Sequence, residues 1–194
     1  MTWIQPVTLR GQRVTLEPLS VDHAGALCEA SRGLESLWYT AVPSAEGMPR
    51  EIERRLALQA AGSMLPFALI DAAGVAVGMT TYMHVDAVHR RVEIGSTWVG
   101  LGAQRSGLNT EAKWLLLGHA FEQLGCIAVE FRTHRLNQQS RRAIERLGAQ
   151  LDGILRSHQR SADGNLRDTC VYSVTAAEWP TVSTHLRHLL ARPR

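Results

Sequence analysis

The segment 104–112, Gln-Arg-Ser-Gly-Leu-Asn-Thr-Glu-Ala, holds the residues whose types and spacing point most directly to chemistry. A strand-like run precedes it and a long apolar run with helical periodicity follows it, which predicts a strand, a short loop and a helix. The first backbone N–H groups of a helix lack internal partners and lie at the positive end of its dipole, so they attract anions. Gly107 would let a ligand approach the backbone closely, and Arg105 adds positive charge. An ordinary strand-to-helix turn would explain a single glycine equally well.

Two familiar phosphate loops are excluded, because the segment contains neither G-x-x-x-x-G-K-[ST] nor G-x-G-x-x-G. The segment resembles instead the acyl-CoA loop of the GCN5-related N-acetyltransferases (GNAT), with the pattern [Q/R]-x-x-G-x-[G/A]. Gln104 and Gly107 match the first two patterned positions, whereas Asn109 replaces the small residue at the third. Asparagine tolerates left-handed and capping conformations, so this departure is physically mild.

Three further blocks are similar to the RimJ/RimL-like subgroup, which modifies the N-termini of ribosomal proteins. They occupy residues 9–19, 93–98 and 137–148, in the family's order, and the resemblance covers most of residues 8–175. It implies the GNAT fold, an α/β (α+β) arrangement with a central mixed, mostly antiparallel twisted sheet, helices on both faces and a splayed pair of parallel strands. It also implies acetyl-CoA as cosubstrate and direct transfer of its acetyl group to a primary amine in a ternary complex.

Length and composition predict a single domain over residues 1–194. The hydrophobic fraction of 45% and the charged fraction of 20% are ordinary for a globular protein. No apolar run is long enough to span a bilayer, and the N-terminus lacks the features of a signal peptide, so we expect a cytoplasmic protein without a membrane partner. The three cysteines are widely separated and the histidines lack ligand spacing, so no metal is expected.

Basic residues outnumber acidic ones in the second half of the chain but not in the first. The chain contains no Lys/Arg block or recognition helix, so we expect no nucleic-acid partner. The 3′-phosphate and pyrophosphate of a coenzyme would explain a basic half equally well, as would composition alone. On the electrostatic interpretation, the second half faces the coenzyme and the mildly acidic first half forms most of the acceptor cleft.

Periodicity and turn residues predict the elements that would position these groups. Strands are predicted at 13–17, 67–71, 75–84, 88–99, 127–133, 149–159 and 166–175, and helices at 20–32, 49–61, 108–124, 137–147 and 178–191. This order predicts a mixed sheet with helices on both faces. By the resemblance, strands 93–99 and 127–133 are the parallel pair that separates around the pantetheine arm.

Glu93 is the first candidate for the catalytic base. Transfer from a thioester to an amine requires a neutral amine, a stabilised oxyanion and a thiolate that can leave. If Glu93 faces the cleft, its carboxylate can accept the amine proton directly or through a water molecule. The alternatives are a solvent-facing glutamate or an ion-pair partner of Arg90 or Arg91; the resemblance to the family's E-I-G segment favours the catalytic role.

Ser140 corresponds by resemblance to a hydroxyl near the coenzyme sulfur. Because a serine hydroxyl is a very weak acid, we expect it to donate a hydrogen bond more than a proton, and an ordinary first-turn serine is the alternative. Asn137 is predicted to cap its helix and to bond the pantetheine amides, although the cap alone would explain it. Tyr172 lies beyond the expected region and is not a candidate acid.

The resemblance assigns a larger set of residues to the coenzyme: Trp98, Val99, Gln104, Arg105, Ser106, Gly107, Leu108, Asn109, Thr110, Asn137 and Ser140. A backbone N–H near Trp98 and Val99 would stabilise the oxyanion, although a tryptophan alone is more often part of a core. The candidate substrate contacts are Trp38 and Tyr39, in the loop that walls the acceptor site in this family, and His84 beside a turn. Core packing explains Trp38 and Tyr39 equally well.

The sequence therefore predicts an N-acetyltransferase whose acceptor is an amine-bearing small molecule or a peptide or protein N-terminus. The alternative is a catalytically degenerate module that binds acyl-CoA or a partner protein, a hypothesis motivated by Asn109 and by the lack of a clear acid. A homodimer is left open. The acceptor itself depends on variable loops and cannot be read from the sequence.

Overall fold

The computed structural model describes residues 3–34, 42–161 and 163–192. Its strands are β1 (Leu9–Arg10), β2 (Val14–Pro18), β3 (Met64–Asp71), β4 (Ala76–Asp86), β5 (Arg91–Val99), β6 (Ala128–His134), β7 (Gln150–Arg160) and β8 (Leu166–Thr175). Its helices are α1 (Ala24–Ser31), α2 (Met48–Ala60), α3 (Leu108–Gly118), α4 (Gln138–Glu145) and α5 (Trp179–Ala191). The strands form one sheet in the order β1-β2-β3-β4-β5-β6-β8-β7.

Neighbouring strands in this sheet are antiparallel except for β5 and β6, which are parallel. The parallel ladder is short, since it joins only residues 91–93 of β5 to residues 128–130 of β6. Both strands continue well past the last pair, so they separate and leave a gap in the sheet. The predicted mixed sheet with a splayed parallel pair is confirmed.

Helices cover both faces of the sheet, as predicted. On one face, Leu116 of α3 and Leu186 of α5 belong to the large core that includes Phe67 and Val129 of the sheet. On the other face, α1 and α2 form a second core, in which Ile52 packs with sheet residues. Among the described residues, no helix has the length and apolar character needed to cross a membrane.

A β-bulge in β5 changes the direction of its side chains. Ser96 and Thr97 together stand opposite Thr80 of β4, and Ser96 has a φ of 49°, in the left-handed region. One extra residue reverses the alternation of side chains along a strand. Beyond the bulge, Trp98 therefore packs with α1 and α2, while Val99 packs with the core beneath α3.

The last turn of the predicted helix 108–124 is widened. α3 continues as a π-helical turn, His119–Gln123, instead of an α-helix. The hydroxyl of Tyr82 donates a hydrogen bond of 2.5 Å to the carbonyl oxygen of Leu116, which the N–H of residue 120 would use in an α-helix. A side chain that occupies such a carbonyl disturbs the i→i−4 ladder. The predicted extent is correct, but the hydrogen bonding of its end is not.

Two predicted boundaries are wrong for identifiable reasons. The strand predicted at 88–99 begins at Arg91, because Arg90 has a φ of 53° at the end of a turn. The preceding strand runs to Asp86, because its pairing with β5 resumes after a second bulge. Residues 35–41 of the loop predicted at 33–48 lie outside the described residues.

The buried carboxylate of Glu111 links α3 to the start of β2, near the edge of the sheet. Oε2 of Glu111 accepts hydrogen bonds from the backbone N–H groups of Arg13, at 2.6 Å, and Val14, at 3.0 Å. Gly11 leaves the necessary space, since a Cβ atom there would collide with this carboxylate. Glu111 therefore fixes the helix whose first turn borders the gap between β5 and β6.

Replacement of Glu111 by alanine should lower the free energy of unfolding by about 2–4 kcal/mol, because a buried and a partly buried N–H group lose a charged acceptor. Urea unfolding followed by circular dichroism measures the change. Glu111→Gln, which retains one acceptor oxygen, should fall between the wild type and Glu111→Ala. Glu53→Ala, at an exposed position of α2, is the control and should leave the stability nearly unchanged. A Glu111→Ala variant as stable as this control would contradict the anchoring role.

Candidate active site

A cleft of about 1110 Å³ opens where β5 and β6 separate. Its wall combines α2 on one face of the sheet with the first turn of α3 and the helix α4 on the other. Because the gap passes through the sheet, a single cleft reaches both faces. A ligand that binds at α3 can therefore meet a second ligand that enters beneath α2.

The loop before α3 folds onto the end of β5. The side chain of Gln104 donates from Nε2 to the carbonyl oxygen of Val99 at 2.9 Å. Ser106 Oγ donates to the carbonyl oxygen of Ala103 at 2.7 Å and accepts from the N–H of Leu108 at 3.3 Å. These bonds hold the turn that presents the first helical N–H groups to the cleft.

Gly107 is the N-cap of α3 and has a φ of 92°, a left-handed conformation that strains any residue with a Cβ atom. Arg105, two residues earlier, also has a positive φ, of 60°. Asn109 and Thr110 line the cleft, whereas the side chain of Leu108 is buried in the core. Of the loop and the first turn of α3, Asn109 and Thr110 therefore lie at the cleft, whereas Gln104, Arg105, Ser106 and Gly107 do not line it.

Glu93 lies at the point where the two strands part, and its side chain is buried in the wall of the cleft. Its Oε2 lies 2.7 Å from Nδ1 of His84 and 3.4 Å from Nε of Arg132. Gly95 is required here, because a Cβ atom at that position would lie 2.8 Å from the Glu93 carboxylate. The alternative of a solvent-facing residue is therefore wrong.

Arg90 and Arg91, the other suggested partners of Glu93, bind elsewhere. Arg91 pairs with Glu130 at 2.6 Å, and Arg90 stacks over the ring of Trp3. Burial raises the pKa of the Glu130 carboxyl, but hydrogen bonds from Arg91 and Arg132 outweigh it, so the pKa lies below its ordinary value. Glu130 is thus a structural carboxylate beside Glu93.

His84 lies close to Glu93 because of the second bulge, in β4, where His84 has a φ of 47°. The imidazole is 59% exposed, so it connects the buried carboxylate to solvent. The other two candidate substrate contacts, Trp38 and Tyr39, lie outside the described residues.

Trp98 belongs to the core beneath α1 and α2, yet it also lines the cleft. Its Nε1 is buried and has no hydrogen-bond partner among the described residues. An unsatisfied buried donor costs about 1–3 kcal/mol. A polar ligand atom in the cleft would remove that cost, so this indole fits a bound ligand better than a dry core.

Asn137 and Ser140 come together at the start of α4. Asn137 Oδ1 accepts from the N–H of Ser140 at 3.0 Å, so the predicted N-cap is present, and both residues line the cleft. Tyr172 is engaged elsewhere, because its hydroxyl accepts from Arg141 and donates to Glu145, each at 2.8 Å. Among the described residues, no group of three or more His, Cys, Asp or Glu side chains could hold a metal ion.

Lys113 also lines the cleft, although it was not identified from the sequence as a candidate site residue. Its buried Nζ donates to Thr97 Oγ1 at 2.6 Å and to Thr80 Oγ1 at 3.0 Å, directly at the bulge of β5. Burial lowers the pKa of this amine to about 7. The sequence did carry a signal for this residue, because Lys113 is the only lysine in a chain whose other permanently charged cations are arginines. Unlike arginine, lysine readily loses its proton when it is buried.

Comparisons with known proteins agree on one family. The family model for the acetyltransferase (GNAT) domain matches residues 13–150. A crystal structure of a GCN5-related N-acetyltransferase from Brucella melitensis is 31% identical, with a TM-score of 0.86 over 97% of this chain and 87% of that one. The RimJ protein of Mycobacterium smegmatis, solved in complex with CoA-disulfide, is 24% identical, with a TM-score of 0.76 and 95% of each chain covered.

A curated relative, the uncharacterized N-acetyltransferase p20 of Bacillus licheniformis, is 24% identical over 178 residues. The match covers 89% of this chain and 98% of the relative. The similarity therefore extends over nearly the whole of both chains.

The low pKa of Lys113 should be visible in the pH dependence of stability. The pKa of Lys113 is about 7 in the folded state and 10.5 in the unfolded state. Between these two values the unfolded state binds more protons than the folded state. The free energy of unfolding therefore rises with pH across that window. Lys113→Met removes the contribution. Between about pH 7 and pH 9, the stability of the wild type relative to Lys113→Met should rise by roughly 2 kcal/mol in urea unfolding. Parallel curves for the two proteins would show that the amine titrates normally.

Proposed function

Because the chain belongs to the GNAT acetyltransferase family, we propose that it transfers the acetyl group of acetyl-CoA to a primary amine that binds on the Glu93 side of the cleft. The transfer is a direct attack in a ternary complex. The observation that carries the proposal is the position of Glu93, a buried carboxylate at the fork between β5 and β6. GNAT enzymes use acetyl-CoA, which supplies the acetyl group as an activated thioester.

The first turn of α3 is the proposed site of the coenzyme phosphates. The left-handed Gly107 brings backbone N–H groups to the ligand, and the helix dipole favours negative charge. Arg146, the residue directly after α4, reaches across the cleft to Thr110 Oγ1 at 3.1 Å and adds a positive charge there. Arg146 belongs to the basic second half of the chain, and its position supports the proposed phosphate side.

The gap between β5 and β6 is the proposed path of the pantetheine arm. Past Glu93 and Glu130, the two strands no longer pair with each other, so an extended ligand can take the place of a strand. The Nε1 of Trp98 and the side-chain amide of Asn137 supply further polar groups along the gap. We assign the polarisation of the reacting carbonyl to a backbone N–H of the bulged part of β5.

Glu93 is the proposed general base. The attacking amine must lose its proton, and Glu93 can accept it directly or through one water molecule. His84 then offers a route to solvent, because it contacts the carboxylate at 2.7 Å and is itself exposed. Arg132 compensates the buried negative charge. An α-amino group, with an ordinary pKa of about 8, needs less of this help than a lysine side chain.

Ser140 is the proposed hydrogen-bond donor to the departing sulfur. Its position in the first turn of α4, at the cleft, supports this role, and the engagement of Tyr172 with Arg141 and Glu145 argues against a tyrosine acid. A thiolate can leave without full protonation, so a weak donor is sufficient.

The function is tested by incubation with labelled acetyl-CoA and a panel of N-terminal peptides, free amines and amino acids, with mass-spectrometric detection. An acetylated amine is expected. A complete lack of product, together with no coenzyme binding in calorimetry, would refute the proposal. Tight coenzyme binding without turnover would support the alternative, a degenerate acyl-CoA-binding module.

Glu93→Gln should reduce kcat about 10²-fold or more, because the amide retains the shape of the side chain but cannot accept the proton. The dissociation constant of acetyl-CoA should barely change. The loss should shrink as the pH rises, because the free amine then forms in solution. Glu130→Gln is the matched control, since Glu130 stands directly opposite Glu93 on β6. A Glu93→Gln enzyme with the wild-type kcat near neutral pH would assign Glu93 a structural role.

Gly107→Val should weaken acetyl-CoA binding more than tenfold, which is about 1.4 kcal/mol or more, because a branched side chain enters the phosphate loop. The strained φ also lowers stability, so a control must carry the same strain elsewhere. Gly62 serves this purpose, since it has a φ of 75° and no atom within 4 Å of an added Cβ. Gly62→Val should lose stability but bind the coenzyme normally in calorimetry. Equal coenzyme affinities in both variants would move the phosphate site elsewhere.

A further inference from the structure

The acceptor side of the cleft, if the proposed acetyl transfer holds, is the face of the sheet that α2 covers. The phosphates lie at α3, on the opposite face, and the thioester reaches Glu93 through the gap. Side chains of β6 and β8 alternate, so the residues on the acceptor face can be identified. Phe131 and Tyr172 point into the core beneath α3, whereas Arg132 and Arg167 point to the face of Glu93.

Arginine dominates the charge of this face. The arginines that line the cleft there are Arg50, Arg54 and Arg55 of α2, Arg132 of β6 and Arg167 of β8. The carboxylates are Glu51 and Glu93. The first half of the chain is mildly acidic as a whole, but its helix α2 turns arginines toward this face, so the proposed acceptor side carries more cations than carboxylates.

Three of these arginines already have carboxylate partners, although two of them share one carboxylate. Arg54 and Arg55 share the carboxylate of Glu51, each at 2.7 Å. Arg132 lies 2.8 Å from Glu130 and 3.4 Å from Glu93. These ion pairs stabilise α2 and the strand β6 internally, so each of the three guanidinium groups already has an acidic partner in the protein.

Arg167 is different, and so is the exposed Arg50. Neither has an ion pair among the residues that the structure describes. The Nε of Arg167 is buried at the cleft and has no hydrogen-bond partner in the described part of the chain. Burial lowers the pKa of this guanidinium, while the negative charge of Glu93 raises it, so the two groups lie within electrostatic reach. Arg167 is a half-buried cation with a donor still to be satisfied.

We propose that Arg167 binds a carboxylate of the acceptor, so that the enzyme selects primary amines that carry an anionic group near the amine. A guanidinium matches a carboxylate in geometry and in charge, and such charge-assisted hydrogen bonds are stronger than neutral ones. Glu93 receives the amine end and Arg167 the acidic end of the same molecule. The acceptor is an amino acid or a peptide with an acidic residue next to its N-terminus.

The same arrangement disfavours purely cationic acceptors. A polyamine would leave the buried guanidinium unpaired and would add positive charge to a face that already has an excess. The charges act together with shape, because a carboxylate bound at Arg167 orients the amine toward the base.

Binding of unreactive product analogues tests the proposal without requiring turnover. Two matched pairs are titrated into the protein–CoA complex by calorimetry: N-acetylalanine against N-acetylalaninamide, and acetyl-Ala-Glu-amide against acetyl-Ala-Gln-amide. Each pair differs in one anionic group, so the first pair tests a free amino acid and the second an acidic peptide. At least one pair should show about a tenfold or larger preference for the anion. Equal affinities in both pairs would overturn the proposal.

Arg167→Gln should abolish that preference and leave the affinity of the neutral analogue and of CoA unchanged. Arg167→Lys, which retains the charge but not the planar donor pair, should restore part of it. The control is Arg156→Gln, an exposed arginine on the neighbouring β7 that pairs with Asp168 at 2.9 Å. A preference that survives Arg167→Gln would assign the anion to another residue and refute the proposal.

Steady-state rates of acetylation test the anion selectivity separately from the proposed acetyltransferase function. Two acceptor pairs are compared, alanine with alaninamide and Ala-Glu-amide with Ala-Gln-amide. The anionic member of at least one pair should have the higher kcat/KM. For that acceptor, Arg167→Gln should raise KM more than it changes kcat. Efficient acetylation of neutral and anionic acceptors alike would leave the acetyltransferase function intact and refute the anion selectivity. Discrimination in binding without turnover of these four acceptors would support the anion site and leave the acetyltransferase function to the broader acceptor panel.

Discussion

The short parallel ladder between β5 and β6 is the constraint on which the site depends. Backbone N–H and C=O groups inside a protein require partners, and a sheet normally supplies them along the whole strand. Here the pairing stops at Glu93 and Glu130, although both strands continue. The backbone beyond the fork is therefore presented to the cleft. This opening brings three groups to one cleft. They are the carboxylate of Glu93, the first turn of the helix that starts at Leu108, and the arginines of α2, β6 and β8.

Two buried ionisable side chains flank the fork and are stabilised in different ways. The carboxylate of Glu93 has two cationic or basic neighbours, Arg132 and His84, within a face rich in arginine. The hydrogen-bond partners of Lys113 are two hydroxyl groups, which are a poorer substitute for water around an ammonium group, and burial therefore lowers its pKa. The buried carboxylate of Glu93 and the buried amine of Lys113 thus lie on opposite faces of β5.

Local sequence patterns predicted the parts of the site that depend on neighbours in the chain. The start of α3 directly after Gly107 and the cap at Asn137 are examples, because each follows from a few consecutive residues. Contacts set by strand register were not predictable in this way. Lys113 meets Thr80 and Thr97 only because of the bulge, and the direction of Arg167 depends on the pairing of β8 with β6. The widened turn after α3 likewise depends on a tyrosine from a distant strand.

The extra residue in β5 also determines where the chain tolerates changes in length. Because side chains alternate with a period of two, removal of either bulge residue, Ser96 or Thr97, would exchange the faces of everything that follows. Trp98 would be driven into the layer beneath α3, and Val99 into the layer beneath α1 and α2. A change of length in the turn between β7 and β8 would not exchange the faces of buried side chains, since residues there, such as Gly164, are exposed. Insertions and deletions among homologues should therefore collect at that hairpin and avoid the bulge, whatever acceptor each homologue uses.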